Sequence, residues 1–166
     1  MFTLKRLSPD AIEAALERAE RYRLLNEPWE AESICQDVLA IDPGNRRALV
    51  TMLLSLTDRF PRQEPGTMAA ARELLPRLGS EYDRWYYEGI IFERHAKAVL
   101  NRGAPGSGPI VYDQLRRAME CYEKAEPLRP AGNDAAVLRW NTCARVIMTH
   151  DRVRPSLEEP APTMLE

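Results

Sequence analysis

The sequence predicts an all-α fold, a stack of three helical hairpins closed by a C-terminal capping helix, and two observations carry that prediction. Apolar residues recur at helical spacing in successive stretches punctuated by proline and glycine. The chain also repeats itself. AESICQDVLAIDPGN (31–45) aligns with AMECYEKAEPLRPAGN (118–133), setting Ala31 on Ala118, Cys35 on Tyr122, Val38 on Ala125, Ile41 on Leu128 and Pro43 on Pro130. A small residue, a larger apolar one, another small or branched one and then a proline stop, twice in that order, is the pattern of an array in which each hairpin buries its face against the next.

Each helix follows from local signals. Ser8 and Pro9 predict the start of the first, as N-cap and first helical residue, and Ile12, Ala15, Leu16, Ala19, Tyr22 and Leu25 share one face. Asn26-Glu27-Pro28 breaks it. A second run (Trp29, Ala31, Ile34, Cys35, Val38, Leu39, Ile41) ends at Asp42-Pro43-Gly44-Asn45. A third helix over 46–60 carries Ala48, Leu49, Met52, Leu53 and Leu56. The fourth, over 67–79, carries Met68, Ala71, Leu74, Leu75 and Leu78, with Pro76 tightening its last turn before Gly79. The fifth is the longest, over 81–101, with Trp85, Tyr86, Gly89, Ile90, Ala96, Val99 and Leu100 in register. The sixth spans 111–126. DAAVLRWNTCARVIM (134–148), with Val137, Leu138, Asn141, Ala144 and Ile147 in register, is expected to cover the last open face. The units are thus 11–45, 46–79 and 80–132 with a cap over 133–149, one domain over 1–149, and the Pro/Glu-rich residues 150–166 predict a flexible tail.

Composition narrows the function classes. At 166 residues with 45% apolar content the chain makes one domain with a real core. A net charge of −2 argues against nucleic-acid or anionic-membrane binding, which needs a surplus of Lys and Arg on one face. No stretch approaches the roughly 20 apolar residues of a membrane span, and the N-terminus lacks a signal-peptide core, so a cytoplasmic location is expected. Cys35, Cys121 and Cys143 show neither CxxC nor Cys/His ligand spacing; buried, reduced thiols are expected, with no metal and no cofactor.

On these residues the chain resembles the tetratricopeptide repeat family, helix–turn–helix units of about 34 residues. The first unit has Ala15, Ala19, Tyr22, Ala31, Cys35, Val38 and Pro43 in the family's order; the third has Trp85, Gly89 and Phe92, then Ala118, Tyr122, Ala125 and Pro130. The middle unit lacks the terminal proline and is degenerate. Small residues at 19, 31, 89 and 118 suit close helix approach, with Tyr22, Trp85, Phe92 and Tyr122 filling between layers. The resemblance covers about 8–149 and implies a right-handed solenoid whose first helices line a concave groove. It further implies a non-enzymatic adaptor or scaffold that binds another protein as a peptide or amphipathic helix. Superposed units put Leu16, Glu20 and Arg23, then Arg47, Val50 and Leu54, then Tyr86, Ile90 and Arg94 along that groove. Leu16, Val50, Leu54, Tyr86 and Ile90 are the implied anchors, with Arg47 and Arg94 fixing an acidic group. The Lys/Asn pattern that clamps a terminal carboxylate in some members is absent. The same residues could instead pack against the chain's own terminal helix or PTMLE tail, and an uncovered face could serve a homo-oligomer.

The stretch NRGAPGSGP (101–109) admits other readings. A phosphate-cradling loop needs Gly-Lys-Ser/Thr after its glycines, whereas Gly108 precedes Pro109, which has no N–H to offer. Set against the repeat pattern the stretch is an insertion in a hairpin turn, either structural or a rim for a partner, with His95, Arg102, Gly106 and Gly108 as rim residues. Arg94, His95, Lys97 and Arg102 cluster near a helix C-terminus, where they either complement its dipole or contact an anion. That second option defines another function class, a small-ligand or anion-binding accessory protein or enzyme, although Glu88 and Glu93 make no recognisable catalytic set with His95. Of Trp85, Tyr86 and Tyr87, one must point away from the core.

Overall fold

A computed structural model describes residues 2–156, and within them the protein is all-helical with no strand. The helices are α1 (Ile12–Leu24), α2 (Pro28–Leu39), α3 (Arg46–Asp58), α4 (Thr67–Glu73), α5 (Glu81–Arg102), α6 (Gly108–Ala125) and α7 (Ala135–Thr149). Consecutive helices pack on each other, α1 on α2, α2 on α3, α5 on α6 and α6 on α7, as a helical repeat-like array requires.

Local chemistry explains the boundaries. The Asn45 side chain accepts a hydrogen bond from the Ala48 amide and the Ser80 hydroxyl one from the Asp83 amide, each at 3.0 Å, so α3 and α5 start on side-chain caps. Pro28 and Pro109 sit in first turns, where a missing N–H costs nothing. Three boundaries differ from the sequence reading. Ser8 makes no side-chain cap bond, and Pro9–Ala11 forms a 3-10 turn, so α1 begins at Ile12. α4 stops at Glu73, because Pro76 cannot donate to the preceding turn and its ring crowds that turn's carbonyl; Leu75–Arg77 tightens to 3-10 instead. α6 begins at Gly108, inside the glycine-rich stretch. The extra length of the third unit therefore lies in its helices, 22 residues in α5 and 18 in α6, while the connection is the short 103–107 turn opened by Gly103 in the left-handed region.

The core runs through α5. One cluster gathers Leu16, Val38, Leu49, Leu53, Leu56 and Leu78 from the first half and takes Ile91 and Ala98 from α5; the other gathers Phe92, Ala96, Val111, Leu115 and Tyr122 from α5 and α6 with Cys143 from α7. Ala19, Ala31 and Cys35, all fully buried, form the tight α1–α2 seam beneath Tyr22. At α5–α6, a β-carbon on Gly89 would stand 2.5 Å from the Tyr122 ring, so the glycine is what lets that ring lie against the helix.

α7 packs differently from the expected register. Ala144 and Ile147 pack against the second cluster as expected, but they are joined there by Ala136, Trp140 and Cys143, whereas Leu138 is exposed. The packed body also continues past 149. The Val153 amide donates to the His150 carbonyl at 2.9 Å, Arg154 Nη1 donates to the Ile147 carbonyl at 2.8 Å, and Val153 is fully buried in the second cluster. Burying that side chain is worth about 2 kcal/mol. Residues 157–166, including PTMLE, lie outside the described residues.

Candidate binding face

The first helices of successive hairpins, α1, α3 and α5, present one stripe each. On α3 the stripe is Arg47, Val50, Leu54 and Asp58, spaced at helical period. Val50 and Leu54 are half-buried and pack at the edge of the first core cluster with Tyr87, while Tyr86 packs at the edge of the second. The tyrosines interlock. Tyr86 stacks on Tyr82 with ring centroids 5.6 Å apart and meets Tyr87 edge-on at 5.1 Å. Two expected anchors are not on this surface: Leu16 and Ile90 are 0% and 2% exposed, because their positions face the neighbouring helix rather than the groove.

The expected anion-binding arginines are already engaged by this chain's own carboxylates. Arg47 donates through Nε and Nη2 to Glu20 at 2.7 and 2.8 Å and through Nη1 to Glu13 at 2.9 Å. Arg94 Nη1 donates to Asp58 at 2.5 Å and to the Thr57 hydroxyl at 2.9 Å, and Arg23 Nε donates to the same Asp58 at 2.7 Å. Arg46 grips Asp83 bidentately at 2.5 and 2.8 Å. The fork geometry strengthens these contacts. Hydrogen bonding to the carboxylate raises the pKa of Arg46 and Arg47, and the Arg47 hydrogen bond lowers that of Glu20. A further node is buried: Glu93, with no exposed surface, accepts from Tyr122 Oη at 2.6 Å, from Lys97 and, at 3.2 Å, from Arg139. Burial first, and then Glu93, push the Tyr122 pKa up. Apart from Lys97–Glu93, which lies within α5, each pair joins different helices, so the ladder stitches α1 to α3, α3 to α5, and α5 to α6 and α7.

Sequence reasoning placed Glu20 along the groove but missed Asp58 and Asp83, the carboxylates that pair with Arg23, Arg94 and Arg46. The separations of Arg23–Asp58, Arg46–Asp83 and Asp58–Arg94 are 35, 37 and 36 residues, close to one repeat. Opposite charges one repeat apart on first helices were the available signal.

The basic cluster at the end of α5 divides between two faces. Arg94 turns to α3, but His95 turns to Phe60, ring centroids 5.9 Å apart and edge-on. His95 and Arg102 line a cleft of about 360 Å³ with Gln63, Glu64, Gly66 and Thr67. Burial and then Arg102 lower the His95 pKa, and His95 Nδ1 is buried without a hydrogen-bond partner among the described residues, as is Gln114 Oε1. A second cleft, of about 940 Å³, lies between 103–109 and 149–152. Gly106 adopts φ 76° in its wall. Gly108 has a packing reason: a β-carbon there would collide with the Arg152 carbonyl oxygen. Gly108→Ala is therefore expected to detach the segment around Val153 without unfolding the bundle, with trypsin cleavage of the Arg152–Val153 bond accelerating at least tenfold. Unchanged cleavage would contradict that role.

The cysteines are chemically quiet. All three are free and buried, and burial pushes each thiol up to about 12. Native protein at pH 8 is expected to leave a thiol reagent unreacted over an hour and to release three equivalents once denatured. Rapid native labelling at any one would contradict its burial. Among the described residues no group of His, Cys, Asp and Glu is arranged to hold a metal, and no helix is long and apolar enough to cross a membrane. No family model, no curated protein and no solved structure matches the chain.

Proposed function

We propose that the protein is a cytoplasmic, non-enzymatic binding module of tetratricopeptide-like construction that holds a segment of another protein on the face of α1, α3 and α5. The observation that carries this reading is the half-buried apolar strip of Val50 and Leu54 beside Tyr86 and Tyr87, framed by charged nodes. Apolar anchors inside a charged frame are what a groove for an amphipathic helix or extended peptide offers. The ion-pair ladder holds the three helices in fixed register, so the face meets its partner preorganised. A photo-reactive residue in place of Val50 tests the reading. It is expected to give polypeptide adducts in the cell that vanish when Leu54→Glu is added with the helical spectrum unchanged. Adducts formed only from a photo-reactive residue at Leu138, on the exposed side of α7, would overturn it.

A second reading rests on the His95–Arg102 cleft, whose partnerless Nδ1 and unpaired guanidinium among the described residues suit a small anion. Inorganic phosphate binding that disappears in Arg102→Ala would favour it.

A further inference from the structure

The proposed binding face is electrically polarised along its length. At the end where α1 and α3 begin, a single guanidinium, Arg47, is surrounded by Glu13, Glu17 and Glu20: two carboxylates bond it directly, and the Glu17 charge acts on it from the next turn of α1. Glu13 and Glu20 remain 79% and 43% exposed. At the other end the balance reverses. Arg23 and Arg94 share one carboxylate, Asp58, and one turn further along α5 Lys97, with Arg139, shares one buried carboxylate, Glu93. Arg94 directs Nη1 at Asp58 and Thr57, leaving the rest of its guanidinium without a hydrogen-bond partner among the described residues. Val50 and Leu54 lie between the two ends on the α3 stripe. The distance is set by α3: eleven residues from Arg47 to Asp58, at 1.5 Å each, are about 16 Å.

We infer that this face takes a polypeptide segment of matching polarity, a basic group at one end, apolar side chains in the middle and an acidic group about 16 Å away, seated with its acidic end at Arg94 and Lys97. The inference rests on the binding-module reading and specifies its ligand. It also replaces the purely acidic partner expected from Arg47 and Arg94 alone, because Arg47 sits among surplus carboxylates and repels a further one. A helix of three turns or an extended run of about five residues spans that distance. Glu13, Glu17 and Lys97 are exposed enough to keep only part of their attraction in salt, so the charges set orientation and partner choice while the apolar centre supplies most of the affinity.

Four terminally blocked synthetic peptides of about twelve residues, sharing one apolar centre, test this by fluorescence anisotropy on the full chain. One carries lysines at one end and glutamates at the other, one only lysines, one only glutamates, and one neither. The two-ended peptide is expected to bind about tenfold more tightly than the uncharged one, a difference of about 1.4 kcal/mol. Lys97→Gln is expected to weaken the glutamate-bearing peptides about fivefold, with recovery in Lys97→Arg, and to change the lysine-only peptide far less. Glu13→Gln with Glu17→Gln is expected to do the converse. Equal affinity for all four, with Leu54→Glu still abolishing binding, would overturn the inference and leave the module reading standing. No binding of any peptide would overturn it as well, and the Val50 cross-linking result then decides the module reading separately. A chain ending at Ser156 that binds at least tenfold more tightly would assign the face to the protein's own C-terminal residues. Concentration-dependent dimerisation lost in Lys97→Gln would assign it to a second copy. Either result contradicts a separate partner.

Discussion

Glu93→Ala is expected to destabilise the protein by about 3 kcal/mol. The carboxylate has no exposed surface and accepts from three donors on three helices: Tyr122 on α6, Arg139 on α7, and Lys97 one turn along α5. Its removal leaves the Tyr122 hydroxyl buried without an acceptor and two cations without their counter-charge, and breaking a buried pair from one side costs about 3–5 kcal/mol. The lower end applies because Lys97 and Arg139 are 36% and 35% exposed and can turn their charges into water. For a domain of this size the loss corresponds to a fall in Tm of about 6–12 °C. Glu93→Gln should lose less, since the amide oxygen still accepts from Tyr122. Thermal unfolding of the two variants checks this ordering, and equal Tm for Glu93→Ala and the parent protein would contradict the role given to the node.

Gly89→Ala is expected to cost about 2 kcal/mol even though alanine is the better helix former. In an exposed helix interior the change would gain about 1 kcal/mol. Here the new β-carbon stands 2.5 Å from Cε1 and 2.9 Å from Cδ1 and Cζ of Tyr122, a fully packed ring that must move bodily. Overpacking costs about 1–3 kcal/mol, and moving the ring also strains its 2.6 Å bond to Glu93, worth about 1–3 kcal/mol more. Packing therefore outweighs propensity. Because both variants act through Tyr122, their effects should fall short of additive by at least 0.5 kcal/mol in a double-mutant cycle by urea unfolding. A stabilised Gly89→Ala would show that the ring does not rest on the glycine.

How far the sequence was legible follows the range of the interactions involved. Helix positions were readable because Pro28, the Asp42–Asn45 break and the apolar periods act within a few residues. The close seams at Ala19, Ala31 and Gly89 were readable because small residues opposite Tyr22 and Tyr122 recur at repeat spacing. Length in the third unit was misplaced, since a glycine-rich stretch reads as a loop whether the helix starts after it or inside it; Pro109 at the first turn decided for the latter. Leu16 and Ile90 were assigned to the groove because periodicity gives a face only to within about one residue, and one residue is a 100° turn. The carboxylates at 58, 83 and 93 escaped because charged residues are read as solvent-facing until their partners, a repeat away, are known. Leu138 and Val153 exchanged roles for a similar reason. The packing of α7 is set by the surface already built beneath it, and the segment after Thr149 finds its place only because Gly108 leaves room.

The central claim is that the partner lies along α3 and α5 and not in the clefts beside the 103–109 turn. Amide hydrogen exchange of the full chain with and without the two-ended peptide tests it most directly. Slowed exchange over Arg47–Asp58 and Tyr86–Lys97, with 103–109 and 149–152 unchanged, is the expected result. Protection confined to 103–109 and 149–152, leaving α3 as it was, would contradict it.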